Sequence, residues 1–239
     1  MKTISGKVNE APEAVTLIDA HHHLWDLSMA RHPWLGAHPE TGFFLGDYSP
    51  LKRNYLPADY LKEQPFDQVP ILRDGDLQIF ESGAIVQYIG EKSETLLPSE
   101  TRERFRAIQW TYAALNSVEP ALFNLVLIDV FYAGEEWAKL RRAGAEEFVR
   151  LKLQRVSDWL GDKHWLEGGR FTIGDLIMVT SLRFLRHTDI IADFPNLSAY
   201  VKRGEARPAF RRALADQLAV FAENEPQPAI IPQQEGAAA

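Results

Sequence analysis

The stretch IDAHHHLWDL, Ile18 to Leu27, sets three histidines in a row between apolar neighbours. Its place inside the chain, away from either end, argues against a purification tag. Imidazole nitrogens bind zinc or nickel, and in an extended chain residues i and i+2 face the same way. His21 and His23 could therefore share one divalent ion, while His22 points opposite. Two ligands make a labile site, and beyond residue 60 only His164 and His187 remain to complete it. A resident divalent metal is not expected.

A second constellation could hold a peptide. Val69-Pro70 opens an apolar run, and an outward-turned Val69 backbone could offer its N–H and C=O to an extended peptide ligand. Glu81-Ser82 precedes the apolar spacing of a helix. There Ser82 and the following N–H groups would meet a ligand carboxylate at the positive helix end, and Glu81 would meet an ammonium. The plainer alternative stays open: Ser82 as a helix cap and Pro70 as the start of a strand.

Two kinds of sequence must position these groups. Up to about Gln64 the chain is rich in histidine, aromatics and proline, as in RHPWLGAHPE and NYLPAD, with little helical periodicity. From Pro65 the pattern is orderly. QVPILRDGDLQIF is two short apolar runs around Asp74-Gly75, a primed-turn hairpin signal. ESGAIVQYIGEK reads as a short helix capped by Ser82, with Ile85 and Ile89 on one face.

After Pro98 the spacing is helical almost throughout. The first helix opens at Ser99 with Phe105, Ile108, Tyr112 and Leu115 along one side, and Pro120 should end or kink it. AEEFVRLKLQRVSDWL puts Phe148, Leu151, Val156 and Trp159 on one side. FTIGDL, Phe171 to Leu176, combines a Thr172/Asp175 capping box with a Phe171/Leu176 staple, and capping alone explains those residues. Phe210, Leu214, Leu218 and Phe221 mark a last helix, and residues 224–239 read as a flexible tail.

The aromatics Tyr112, Phe123, Phe131, Tyr132 and Trp137 could line an apolar pocket, although a stripe at helical spacing is ordinarily core. Arg141, Arg142, Glu146 and Glu147 read as a solvated face. Composition narrows the classes further. A net charge of −7 over 239 residues, without Lys/Arg runs, argues against nucleic acid. With no cysteine, disulfides, thiolate metal sites and a cysteine nucleophile are excluded. No signal peptide or uninterrupted membrane-length apolar run is evident, so a cytoplasmic protein without a membrane partner is expected.

QVP at 68–70, DGDL at 74–77, ESGAIVQYI at 81–89 and FTIGDL at 171–176 together resemble the glutathione transferase family over residues 65 to about 223. DFPNL at 193–197 and ARPAF at 206–210 extend the likeness. The resemblance implies an α+β fold: a truncated or altered thioredoxin-like N-terminal part, hairpin plus helix, followed by an all-α C-terminal domain. It implies domains at 65–95 and 96–223, glutathione as co-substrate held by Val69, Pro70, Glu81 and Ser82, a small apolar electrophile, and a homodimer.

Residues 15–60 differ. VTLIDAHHHLW, RHPWL and FLGDYSPL resemble the opening of metal-dependent amidohydrolases, whose barrel of about 250 residues cannot fit there. Residues 1–64 are thus expected to be an amidohydrolase-like head, the mark of a fusion, in place of the transferase's first β-α-β unit. That unit carries the Tyr, Ser or Cys that stabilises the glutathione thiolate, so the catalytic residue here is unknown. The open edge of the hairpin is expected to be filled by a strand at Val15–Ala20 or covered by a dimer partner or a loop; the strand would deliver His21 and His23 where an imidazole would favour a thiolate. Three readings follow: a glutathione transferase-like protein that conjugates electrophiles if active, a non-catalytic binding or dimerisation module of the same fold, and a metal-dependent hydrolase remnant.

Overall fold

The computed structural model describes residues 63–66, 68 and 70–223, the last four as backbone alone, together with the backbone of a strand at 16–18. The chain divides into two compact units, residues 1–20 with 69–211, and residues 21–68 with 212–239. The first holds the sheet and almost all of the helical bundle.

The sheet is β1 (Thr16–Ile18), β2 (Ile71–Asp74) and β3 (Leu77–Phe80), in that order. β2 and β3 form the expected hairpin, with Asp74 opposite Leu77. Gly75 has φ 58°, the positive value that a primed turn with glycine at its first central position requires. β1 pairs antiparallel with β2, Thr16 opposite Arg73 and Ile18 opposite Ile71. The hairpin's edge is therefore occupied by the strand expected from VTLIDA.

Helix α1 (Ser82–Glu91) follows the hairpin directly. Tyr88 Oη donates to Asp74 Oδ2 at 2.7 Å, and Lys92, just past the helix, pairs with the same carboxylate. These bonds tie the far end of α1 to the turn of the hairpin. Helix α2 (Thr101–Tyr112) starts two residues later than the expected opening at Ser99, with Glu100 as its cap. The Glu100 side chain accepts from the Glu103 N–H at 2.9 Å.

From α2 the chain stays helical to Phe131. It passes through a π-helical turn (Ala113–Val118), helix α3 (Glu119–Val126) and a second π-helical turn (Leu127–Phe131). Pro120 does not break the run. It stands in the first turn of α3, where a missing N–H costs least, and the wide turn just before it takes up the ring. Over the whole run, Thr101–Phe131 is long and apolar enough to cross a membrane. Its Ala107, Ala114, Val118, Leu122 and Leu125 are nevertheless buried in the bundle, as in a central core helix.

Helices α4 (Glu136–Leu160), α5 (Ile173–Leu182) and α6 (Pro195–Glu205) complete the bundle, and the chain continues into helix α7 (Pro208–Glu223). The core joins Leu122, Leu125, Leu153, Leu160, Met178, Leu182 and Tyr200. On α4 the buried face is Val149, Leu153, Val156 and Leu160, one step around from the Phe148, Leu151 and Trp159 side expected of it, and these three are about half exposed. On α2, likewise, Ala107 and Thr111 are buried while Phe105 and Tyr112 are exposed. Small residues take the tight contacts because α2 and α5 cross closely. A Cβ added at Gly174 of α5 would stand 2.5 Å from Trp110 Cβ and 3.0 Å from the Ala107 carbonyl oxygen.

Two glycines make a paired prediction. Gly174→Ala overpacks the crossing and should lower unfolding stability by about 1–3 kcal/mol. Gly144→Ala, on the outer face of α4 where an added Cβ meets nothing within 4 Å, should raise it by up to about 1 kcal/mol. Urea unfolding of both variants reads the two signs.

Candidate functional site

Pro70, Glu81 and Ser82 are the part of the sequence-derived site that the structure describes. Glu81, not Ser82, is the residue before the helix. Ser82 is the first helical residue, and no side chain caps this end. The first N–H groups of α1 are thereby left pointing outward, with the helix dipole behind them. Glu81 is exposed and sits at φ 70°, ψ 117°, the only non-glycine residue with positive φ among the described residues. For a residue with a Cβ that conformation costs on the order of 1–3 kcal/mol. It persists because both neighbours are fixed, Phe80 in β3 and the Ile85 N–H on the Glu81 carbonyl at 3.0 Å.

The floor beneath this turn is tight. A Cβ at Gly83 would lie 2.6 Å from Leu115 Cδ1, so the first π-helical turn is pressed against the start of α1. Gly90 makes the corresponding contact at the other end, 2.9 Å to Ile173 Cγ2. Pro70 is half-buried at the head of β2. Val69, His21 and His23 lie outside the described residues. No cluster of three or more His, Asp or Glu side chains that could hold a metal occurs among the described residues.

Of the five aromatics read as pocket lining or core, Phe131 is half-buried and the other four are exposed. Tyr112, Phe123, Tyr132 and Trp137 are each more than two-fifths exposed, with Phe123 against Phe184 and Tyr132 against Trp137.

The capping box is present and does more than cap. The Asp175 carboxylate, fully buried, accepts from the Thr172 N–H (2.9 Å), the Thr172 hydroxyl (3.2 Å), the Leu166 N–H (2.8 Å) and the Tyr200 hydroxyl (3.0 Å). Burial pushes the Asp175 carboxyl above its usual value, against these donors, and pushes the Tyr200 phenol up as well. Spacing showed Thr172 and Asp175. Leu166 and Tyr200 carry no local signal and meet Asp175 only in the fold.

Of the residues read as a solvated face, Arg141 and Glu147 are exposed, whereas Arg142 and Glu146 belong to an ion-pair chain. Arg142 grips Asp129 of the second π-helical turn through two nitrogens (2.8 and 3.1 Å) and Glu146 at 2.7 Å. Arg150 then joins Glu146 (2.9 Å) to Asp193 (2.7 Å). The chain lines a cavity of about 710 Å³ floored by Ile128, Ala138 and Ile190.

Comparison with known proteins decides what this architecture is. The chain is 29% identical over 162 residues to glutathione S-transferase F14 of Arabidopsis thaliana, covering 63% of this chain and 64% of that one, just under two thirds of its length. It is 31% identical over 163 residues to glutathione S-transferase GstA of Escherichia coli O157:H7, covering 66% and 77%. The chain belongs to the glutathione S-transferase family. Models of the family's N-terminal and C-terminal domains match residues 22–91 and 133–208. A solved glutathione transferase from Burkholderia graminis, with two glutathione molecules bound per subunit, superposes with a TM-score of 0.61 at 26% identity, covering 66% of this chain and 71% of that one.

The transferase fold is thus as expected, a thioredoxin-like N-terminal part with hairpin and helix, then an all-helical domain. The N-terminal match begins at residue 22 rather than 65. It takes in most of the stretch expected to be an amidohydrolase head, and that resemblance gains no support.

Two outcomes follow for this member of the family. Asp175→Ala strands the Leu166 and Thr172 N–H groups in the core and should cost about 3 kcal/mol or more of unfolding free energy. Arg150 and then Arg142 hold the Glu146 carboxyl below its usual 4.5. Its small contribution is therefore present above the unfolded value and lost as pH falls through the folded one. Glu146→Gln should flatten the acid limb of stability measured between about pH 3 and pH 5.5.

Proposed function

We propose that this transferase binds glutathione in extended form, with its peptide groups against Val69 and Pro70 and its γ-glutamyl end at the head of α1. The α-carboxylate of the γ-glutamyl residue would meet Ser82 and the open N–H groups of the first turn, while Glu81 takes the ammonium. The thiol gives up its proton to solvent, and the sulfur attacks the carbon of a small apolar electrophile; a C–S bond forms and the leaving group, halide from an aryl halide, departs to give the thioether conjugate. The exposed aromatic side chains of the helical domain are the surface offered to that co-substrate.

The observation that carries this reading is the uncapped start of α1 behind the strained Glu81. Strain and free donors at one helix end are retained where a ligand uses them. The named relatives, called glutathione S-transferases, support it, as does the Burkholderia protein with glutathione bound. The group that favours the thiolate is proposed to be an imidazole from His21 or His23, which follow β1 by three and five residues. The setting proposed is the cytosol, where glutathione keeps thiols reduced, and the working form a homodimer.

Retention on immobilised glutathione and conjugation of an aryl halide test the proposal. Ser82→Ala should weaken glutathione binding about tenfold, the loss of one charge-assisted hydrogen bond. Unchanged retention removes Ser82 from the site. Retention without conjugation by the wild-type protein would identify a binding module instead. Equal conjugation rates in the wild type and a His21/His23 double alanine variant would dismiss the imidazoles.

A further inference from the structure

The cavity beside the ion-pair chain lies away from the head of α1. Leu115, beneath that head, and Ile128, on the cavity wall, belong to one helical run and stand about 20 Å apart along it at 1.5 Å per residue. The proposed glutathione site makes no use of this space. Its volume of about 710 Å³ is nevertheless that of a small-molecule site, which spans about 300–1,000 Å³.

Three elements make the walls: the second π-helical turn, α4, and the bend at Thr188 and Asp189 between short 3₁₀ turns at Arg183–His187 and Ile190–Asp193. Single π-helical turns inside α-helices recur at functional sites. The ion-pair chain props the walls. Arg142 reaches from α4 to Asp129 of the π-helical turn, and Arg150 reaches from α4 to Asp193. Within the chain the charges answer one another, and both oxygens of Asp129 and of Glu146 accept from an arginine.

Lys139 and Asp189, also on the lining, stand outside that chain. Among the described residues Lys139, at the start of α4, meets only Glu136, at 3.8 Å and with both side chains well exposed. The exposed Asp189 carboxylate neither caps its turn nor meets a cation among the described residues. The apolar lining is open as well, with Val130 47% exposed and Ala133 beside solvent. A simple anion would have to approach Asp189, and a simple cation Lys139, without compensation. A molecule carrying both charges and an apolar body satisfies all three features, and a cavity of this size takes one larger than a single ion.

We infer that this cavity is a second ligand site, for a short zwitterionic peptide with apolar side chains. Its ammonium meets Asp189, its carboxylate meets Lys139, and its side chains lie on Val130 and Ala133. Because ion pairs already fix the walls, binding orders little of the protein. The site does not depend on where glutathione binds.

Calorimetric titration of the full chain with leucyl-leucine, N-acetyl-leucyl-leucine and leucyl-leucine amide tests it. The wild type should bind leucyl-leucine saturably at about 0.1–1 mM, as suits so small a ligand. Blocking either end should weaken binding about fivefold, the upper range for an exposed charge pair. Lys139→Ala should cost leucyl-leucine as much and the amide nothing further. Asp189→Asn should do the same for leucyl-leucine and cost the acetylated peptide nothing further. Ala133→Trp fills the open wall and should weaken all binding at least about tenfold with helix content unchanged. No saturation by about 10 mM, or binding indifferent to Ala133→Trp, overturns the site. An acetylated peptide that binds as tightly as leucyl-leucine, or an amide that Lys139→Ala weakens equally, overturns the placement of the two ends. Excess glutathione should leave the titration unchanged, and loss of peptide binding there would move the peptide to the head of α1 and overturn the cavity. Retention on immobilised glutathione, unaffected by Lys139→Ala and Ala133→Trp, reports the other site, so either proposal can fail alone.

Discussion

One buried carboxylate holds the helical domain to its shape. Asp175 fixes the start of α5 through Thr172, the loop before it through the Leu166 N–H, and α6 through the Tyr200 hydroxyl. A charge in a dry core is tolerable only with its acceptor positions filled, and here four donors fill them. The position of α5 then propagates. Gly174 admits α2 to near contact, Ile173 receives Gly90 of α1, and the Ile173 N–H donates to the Leu96 carbonyl at 3.0 Å. Through these contacts the all-helical domain sets where α1 lies.

That helix is held differently at its two ends. Its far end is tied to the hairpin turn through Tyr88, Lys92 and Asp74, and its underside is closed by Leu115. The near end carries no cap and follows a residue in a costly backbone conformation. The proposed glutathione site calls for an anion position that does not collapse when empty. Pinning one end of the helix and leaving the other unsatisfied provides it.

Much of this was legible in the chain. The hairpin could be read from Asp74-Gly75, the helix from Glu81 onward, and the capping box from Thr172 and Asp175, because each is a local signal of turn or cap chemistry. The strand at VTLIDA was legible too, and its pairing with β2 fills the hairpin's edge. Faces were harder to read. Phe148, Leu151 and Trp159 are as regularly spaced as Val149, Leu153 and Val156, and periodicity alone cannot say which stripe a bundle buries. The π-helical turns have no composition of their own, so Pro120 looked like a break where the wide turn before it lets the helix continue. Leu166, Tyr200 and the Asp129–Arg142–Glu146–Arg150–Asp193 chain join distant segments, and such partners appear only once the chain has folded.

The central claim is that glutathione is gripped where the proline-led strand meets the open end of α1. Amide hydrogen exchange across residues 70–92, followed through a glutathione titration, tests it most directly. The account predicts saturable protection confined to the head of β2 and the first turn of α1, with the hairpin turn at Gly75 unchanged. Full saturation with no added protection at Ser82, Gly83 and Ala84 would contradict it.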